Sequence, residues 1–214
     1  MYIFQPERYL LREQIRKYAS RITGVALDAG CGEYDRYGSL VKCEKMIKLD
    51  INPKNNPDIV ASVEAIPLEE GSVNSIICNQ VLGDVKDFGK AISEFNRILT
   101  KDGSILLTES FICELHDEPN DFWRFTSFGL KQLFEIHGFE VLALDQRGGF
   151  FSTIAQMNIR YLIDRFNLYH RKVSYLIKPF IKCYGKFMIW LDTLDKNKAN
   201  NKFSLGWLIL ARKK

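Results

Sequence analysis

Two carboxylates and two glycines form the pattern in this chain that is best suited to hold a ligand. Residues 25–32, Val-Ala-Leu-Asp-Ala-Gly-Cys-Gly, are an apolar segment that ends in a carboxylate and a pair of glycines. Glycines let the backbone turn sharply and come close to a bound molecule. A second apolar segment, 45–49, ends in Asp50, and a carboxylate there can accept hydrogen bonds from both hydroxyls of a ribose. The spacing predicts a nucleoside site flanked by Asp28 and Asp50.

The acids that follow Gly32 restrict the kind of nucleoside. In the dinucleotide fingerprint G-x-G-x-x-G a third glycine lies three residues after the second, and here that position is Asp35, with Glu33 before it. Two carboxylates at a turn that should hold a pyrophosphate would repel its charge. The pattern favours a ligand without phosphates and argues against an NAD-type oxidoreductase.

Residues 27–32 resemble the first motif of class I S-adenosylmethionine (SAM)-dependent methyltransferases, and Asp50 matches that family's ribose-binding acid. Residues 62–76 and 94–103 are similar to two later segments of the same family. The resemblance implies SAM as cofactor and S-adenosylhomocysteine as product. It places Asp28, Gly30 and Gly32 at the methionine end, Asp50 at the ribose, Ser62 and Val63 at the adenine, and Asn79 and Gln80 along the cleft wall. Cys31 and Ile51 complete the predicted cofactor set.

Four positions depart from the family pattern. Ser62 stands where many relatives have an Asp, Asn74 where the fourth strand usually begins with Asp, and Asp102 where the usual turn has a glycine. Gly83-Asp84 replaces a Glu-His pair, and because glycine has no acid–base group, any polar function there must come from Asp84. These departures keep open the alternative that the chain is a non-catalytic protein that binds SAM or a protein partner.

The stretch 116–126, His-Asp-Glu-Pro-Asn-Asp-Phe-Trp-Arg-Phe-Thr, is similar to a signature found in a subset of these enzymes. We predict that His116 acts as a general base, since an unperturbed imidazole titrates near neutrality. Arg124 is predicted to orient an anionic substrate and Trp123 to stack on a sugar or ring. The alternatives are that Arg124 only pairs with Asp121 and that Trp123 only covers the core. The histidines are dispersed and the cysteines form no C-x-x-C pair, so no metal site is predicted.

Segments of strand and helix character alternate along most of the chain. This alternation, together with the resemblance, predicts an α/β fold: a Rossmann-like, doubly wound, mostly parallel sheet of seven strands with a helical insertion before the last strand. Residues 1–214 are predicted to form one domain, with the insertion at about 150–198. One predicted strand begins at 25, and the others span 45–50, 58–61, 73–79, 104–111, 138–145 and 203–212. The predicted helices span 6–21, 35–42, 86–99 and 127–137, and Thr126 is predicted to be the N-cap of the last of them.

The insertion carries most of the positive charge. Residues 150–214 contain 13 Lys/Arg against 3 Asp/Glu, whereas residues 1–149 contain 17 against 23. Apolar residues spaced by three or four, from Val173 to Leu194, predict a helix whose other face carries Lys178, Lys182 and Lys186. Such a helix suits a lid, a homodimer surface or peripheral contact with a membrane. No module that reads nucleic acid is recognisable.

The loop signature resembles methyltransferases of bacterial glycan pathways, so a small-molecule or glycan acceptor, methylated on oxygen, is expected. A lipid-linked substrate at the membrane is the alternative. No export signal is recognisable at the start of the sequence, and a cytoplasmic location, with contact to the inner membrane face as an option, is expected.

Overall fold

A computed structural model describes residues 2–34, 37–171 and 174–214. The chain divides into two compact units. The first comprises Met1–Glu13, Phe111–Glu114 and Gln146–Gly206, and the second comprises Gln14–Ser110, Leu115–Asp145 and Trp207–Lys214. Every predicted cofactor and substrate residue lies in the second unit.

Seven strands form one sheet in the order β3-β2-β1-β4-β5-β7-β6. β1 pairs in parallel with β2 and β4, β2 with β3, and β4 with β5, while the final strands are antiparallel. The seven-stranded, mostly parallel sheet is as predicted. The strands are β1 (Val25–Ala29), β2 (Lys45–Asp50), β3 (Ile59–Val60), β4 (Val73–Asn79), β5 (Leu99–Ser110), β6 (Phe139–Arg147) and β7 (Gly206–Lys213). The order reverses between β1 and β4, and ligands of such sheets bind beyond the carboxyl ends of the strands at this point.

Helices α2 (Phe88–Ile98) and α3 (Ser127–Ile136) cover the sheet in the second unit. α2 begins at Asp87, whose carboxylate accepts the Lys90 N–H, and its apolar side is buried in the core. α3 begins at Thr126, whose hydroxyl accepts the Gly129 N–H, so the prediction that Thr126 caps this helix is confirmed. The two caps fix where the helices start relative to the strands before them.

The first unit is mainly helical. α1 (Pro6–Tyr18) begins in it, and α4 (Phe150–Phe166) and α5 (Ser174–Leu194) are the helices of the insertion. α4 and α5 share a small apolar cluster that includes Ile159, Ile163 and Ile181. A Cβ added at Gly185 would lie 2.6 Å from a ring carbon of Phe4, so glycine allows α5 to approach that ring. Among the described residues, no helix is long and apolar enough to cross a membrane.

Two of the expected elements differ most from the structure. Instead of a helix at 35–42, the described part of this segment has only a short 3-10 turn, Gly38–Leu40, and Asp35 lies outside the described residues. β5 begins at Leu99, so Lys101 to Gly103 lie within a strand rather than in a separate turn before it. The strand tolerates this because Asp102 adopts a φ of 61° and the β4–β5 pairing shifts register nearby. Val173, predicted to begin the apolar face of α5, also lies outside the described residues.

Candidate functional site

The turn after β1 requires its first glycine for packing. Gly30 has a φ of 77°, and a Cβ there would lie 2.4 Å from a methyl carbon of Val81. Gly32 has a φ of 65°, but a Cβ there would have nothing within 4 Å. The turn therefore packs against the segment after β4 on one side and leaves open space beside Gly32 on the other, as a ligand would need.

Asp50 is held in place by the backbone around it. Its side chain accepts the Gly32 N–H at 2.8 Å on one oxygen and the Asn52 N–H at 2.8 Å on the other. Each carboxylate oxygen has a further lone pair, so this buried group keeps the capacity to accept ribose hydroxyls. The neighbouring Ile51 is 72% exposed, which leaves an apolar side chain open to a flat ring.

Cys31 is close enough to both carboxylates of the predicted site to feel their charge. Burial raises the pKa of its thiol to about 11, and the negative charges of Asp28 and Asp50 act in the same direction. The thiol is therefore neutral near pH 7 and is a poor nucleophile. This side of the site is suited to binding rather than to thiolate chemistry.

The positions predicted to meet the adenine have partners within the protein. The hydroxyl of Ser62 donates to Glu64 at 3.1 Å and also accepts the Glu64 N–H. Val63 is buried in the core. Their contact with a cofactor stays a prediction, and the Ser62 hydroxyl would have to share its bonds with Glu64.

The predicted cleft wall is a tight turn at the end of β4. Asn79 accepts a hydrogen bond from the Thr108 hydroxyl at 3.2 Å, and the Gln80 amide donates to the Ser110 hydroxyl at 2.7 Å. Gln80 has a φ of 56°, a strained conformation for a residue with a side chain. The turn is thus fixed to β5 on both sides, and its role in cofactor binding stays a prediction.

Arg124 is bound to Asp121 within the loop that follows β5. Its two terminal nitrogens contact the two oxygens of Asp121, one of them at 2.7 Å. The Asp121 side chain is only 2% exposed and also accepts the backbone N–H of His116 at 3.0 Å. The hydrogen bond from Arg124 holds the pKa of Asp121 at about 2, so this carboxylate is an anion that anchors the loop.

His116 lies between two carboxylates. Its Nδ1 is 3.4 Å from both Asp121 Oδ2 and Arg124 Nη2, and its Nε2 is 3.6 Å from Asp84 Oδ1. Asp84 Oδ1 is buried and forms no hydrogen bond with any described residue. Burial raises the pKa of Asp84 to about 6, although the neighbouring His116 opposes the shift. Asp121 orients the ring on one side, and the unsatisfied carboxylate of Asp84 lies on the other. A histidine in this arrangement can take up a proton.

Glu109, near the end of β5, was missed by sequence reasoning. It is fully buried and accepts three backbone N–H groups, from Val81 at 3.1 Å, Leu82 at 2.8 Å and Gly83 at 3.3 Å. Burial raises its pKa to about 7, although these hydrogen bonds oppose the shift. The only signal in the sequence is an acid shortly after the apolar run 105–107 of β5.

The turn at residues 81–85, which donates N–H groups to Glu109, also forms hydrogen bonds with the loop at 116–126. The Gly83 carbonyl accepts the N–H groups of Phe122 at 2.9 Å and Trp123 at 3.0 Å, and the Trp123 indole donates to the Val85 carbonyl at 3.0 Å. Trp123 packs edge-on against Phe88 yet remains 42% exposed. Glu109, the turn and the loop therefore form one connected frame around Asp84 and His116.

The same frame brings together groups that could ligate a metal ion. Asp84, His116 and Asp121 each offer one ligand atom, and these atoms lie within 4.8 Å of one another. Arg124 already binds both oxygens of Asp121, so a cation would compete with the guanidinium. The arrangement fits acid–base chemistry better, and the expectation that there is no metal site stays a prediction.

Residues 27–107 match the family model described as a methyltransferase domain. The matched segment runs from β1 into β5 and contains Asp50, Asp84 and the glycine turn, but it ends before the loop at 116–126. No curated protein matches the chain.

Solved structures share the fold at low sequence identity. The 4+2 cyclase SpnF has a TM-score of 0.59 and 15% identity, over 97% of this chain and 81% of its own. The YcgJ protein of Bacillus subtilis has a TM-score of 0.57 and 15% identity, over 96% of this chain and 98% of its own. The phosphoethanolamine N-methyltransferase 2 of Haemonchus contortus, solved with SAM, has a TM-score of 0.58 and 14% identity, over 96% of this chain and 52% of its own.

Residues 27–107 are therefore similar to a methyltransferase domain, and SAM is the cofactor that this similarity supports. The fold alone would not establish this, because one structure that shares it is named a cyclase. The open space beside Gly32 and the fixed carboxylate of Asp50 are compatible with the predicted contacts to the methionine and ribose parts of SAM, and these contacts stay predictions.

Proposed function

We propose that this chain methylates an oxygen atom of a small-molecule or glycan acceptor and that His116 acts as the general base. The observation that carries the proposal is the position of the His116 ring between Asp121 and Asp84. A hydroxyl is a weak nucleophile until a base removes its proton, and a positioned histidine is the side chain that most often does so.

When bound, SAM supplies an activated methyl group, whose bond to sulfur breaks as its bond to the acceptor oxygen forms. The residues of the chain have to align the acceptor, exclude water and remove one proton. In our proposal the Nδ1 of His116 carries its proton and donates it to Asp121 rather than accepting from Arg124 Nη2, which lies equally close. The lone pair is then on Nε2, which takes up the hydroxyl proton. The imidazolium that results faces Asp84, whose charge stabilises it.

Two features of the loop support a hydroxyl on a ring-shaped acceptor. Trp123 is partly exposed while its indole N–H is fixed to Val85, so the ring offers a rigid apolar surface of the kind on which a sugar can stack. Arg124 is held by Asp121, and in this proposal its main role is to orient that carboxylate. The preference for a glycan rests on the similarity of the loop to enzymes of glycan pathways.

The test is methyl transfer from labelled SAM to a panel of acceptors that includes nucleotide-activated sugars, lipid-linked sugars and small amines. We expect label in a hydroxyl-bearing acceptor and a loss of about 100-fold or more in His116→Asn, in keeping with the usual contribution of a general base. His170→Asn, at an exposed histidine of the first unit, is the matched control and should retain full activity. Transfer to amines alone, or equal activity of His116→Asn, would refute the role given to His116.

Cofactor binding is tested separately by calorimetric titration with SAM, S-adenosylhomocysteine and NAD. Asp50→Ala should abolish binding of the first two, whereas Glu70→Ala, on the exposed turn before β4, should not. SAM binding without turnover on any acceptor would favour the alternative function, a non-catalytic protein that uses bound SAM to engage a partner.

A further inference from the structure

Helix α5 exposes a continuous apolar stripe. Its members are spaced by three, four or seven residues, that is by one or two helical turns, so they share one side of the helix. We refer to these residues as the α5 stripe: Leu176, Phe180, Phe187, Trp190 and Leu194. All five are more than half exposed, with Phe180 at 74% and Leu176 at 72%. A row of large apolar side chains open to solvent marks a surface that contacts something else.

Lysines accompany the α5 stripe along its exposed side. Lys178, Lys182 and Lys186 recur every four residues, and Lys178 lies 4.6 Å from the centre of the Tyr175 ring. The only acid of α5 is Asp192, and its carboxylate accepts N–H groups at the start of α4, including that of Gly149 at 2.9 Å. The exposed side of α5 therefore carries positive charge and no carboxylate.

This charge distribution decides between the possible occupants of the surface. If two copies of α5 paired along the stripe, their lysine rows would be brought together without acids to neutralise them. The first unit as a whole contains 13 Lys/Arg against 6 Asp/Glu, and the second unit contains 17 against 20. A surface that is apolar, aromatic and basic is complementary to an interface with anionic headgroups.

We propose that the exposed side of α5 binds the surface of an anionic lipid bilayer. The aromatic and leucine side chains of the α5 stripe enter the boundary between headgroups and acyl chains, and the three lysines contact the lipid phosphates. The helix lies in the plane of the membrane. The proposal goes beyond methyl transfer and does not depend on it, because binding is measured without SAM or an acceptor.

The test is sedimentation of the full chain with vesicles of phosphatidylcholine alone and with vesicles that contain phosphatidylglycerol. We expect binding to the anionic vesicles that weakens at high salt. The variant Lys178→Gln/Lys182→Gln/Lys186→Gln should bind about 100-fold less tightly, at the usual contribution of each basic residue near an anionic surface. The matched control, Lys86→Gln/Lys101→Gln/Lys131→Gln, removes three exposed lysines of the second unit and should bind as the wild type does.

Insertion of the stripe is tested by tryptophan fluorescence. Anionic vesicles should shift the emission to shorter wavelength, and this shift should disappear in Trp190→Phe while vesicle binding is retained. Phe180→Ser/Phe187→Ser should abolish binding with circular dichroism unchanged. These substitutions replace exposed side chains, so the fold should tolerate them.

Three results would overturn the proposal. The first is no binding of the wild type to anionic vesicles at low salt. The second is a dimer, seen by analytical ultracentrifugation, that Phe180→Ser/Phe187→Ser dissociates, because the occupant would then be a second copy of the chain. The third is tighter binding to nucleic acid than to anionic vesicles through the same lysines.

Discussion

Replacement of Glu109 by Gln should change how the stability of the protein depends on pH. The pKa of Glu109 is raised from its ordinary value of 4.5 to about 7 by burial. Below pH 4.5 this carboxyl is protonated in both the folded and the unfolded chain. As the pH rises from 4.5 to 7, the unfolded chain releases this proton while the folded chain keeps it. The folded state is therefore progressively disfavoured over this window, and the loss is complete above pH 7.

The size of the effect follows from the shift. A difference of about 2.5 pKa units corresponds to about 3 kcal/mol. The amide that replaces the carboxyl in Glu109→Gln is uncharged at every pH, so the variant lacks this component. The free energy of unfolding of the wild type, minus that of Glu109→Gln, should fall by about 3 kcal/mol between pH 4.5 and pH 8. A constant offset is also expected, because an amide cannot accept all three N–H groups that the carboxyl faces.

Urea denaturation at five pH values between 4.5 and 8.5 measures this difference, since the other titrating groups are common to both proteins. Asp84 is close enough to contribute to the pKa of Glu109, so the comparison is repeated in an Asp84→Asn background, where a smaller fall is expected. Glu70→Gln removes an exposed carboxyl group and is the control, and its difference should vary with pH much less than that of Glu109→Gln because no desolvated carboxyl is removed. A flat or rising difference for Glu109 would show that its hydrogen bonds outweigh its burial, and the reasoning would fail.

Three further predictions concern the glycine turn and the loop. Gly30→Ala should lower the free energy of unfolding by about 2–4 kcal/mol, because it adds a clash with Val81 to an unfavourable φ. Gly71 has a similar φ but open space around it. Gly71→Ala should therefore lower the free energy of unfolding by only about 1–2 kcal/mol in the same denaturation assay. Asp84→Asn should lower kcat at pH 8 by about 10-fold or more. It should also remove from the pH–rate profile the titration of Asp84, whose pKa burial raises to about 6. An unchanged profile would exclude Asp84 from proton transfer. Arg124→Lys should reduce kcat by about 10-fold and leave the affinity for SAM unchanged. The charge remains in this variant, but the bidentate contact with Asp121 is lost. A change in the affinity for SAM alone would contradict the role of Arg124 in orienting Asp121.

Several features of the fold could be predicted from the sequence because they depend on local patterns. The strands at 45–50 and 73–79 were predicted with the bounds that the structure has, since runs of apolar residues between turn residues are typical of buried parallel strands. The cap at Thr126 was predicted for the same reason, because a capping hydroxyl bonds to a residue three positions along the chain. The glycine pair and Asp50 could likewise be recognised from residue type and spacing.

The prediction was wrong where local signals were weak. The segment 35–42 contains Gly38 and Ser39 and has no clear apolar period, and only a 3-10 turn forms in its described part. The helix was expected because connections between parallel strands usually contain one. The connection from β1 to β2 is completed without a helix in its described residues.

Only the tertiary structure decided which groups surround His116. Glu109 accepts N–H groups from residues 26 to 28 positions earlier in the chain, and Asp84 is 32 positions before His116. No periodicity or turn signal connects residues so far apart. They meet because β4 and β5 are neighbours in a parallel sheet, so the segments that follow both strands emerge at the same edge. The sequence by itself determined most of the strands, the cap at Thr126 and the glycine turn. The pairing of strands decided which carboxylates surround the histidine and how far burial raises their pKa values.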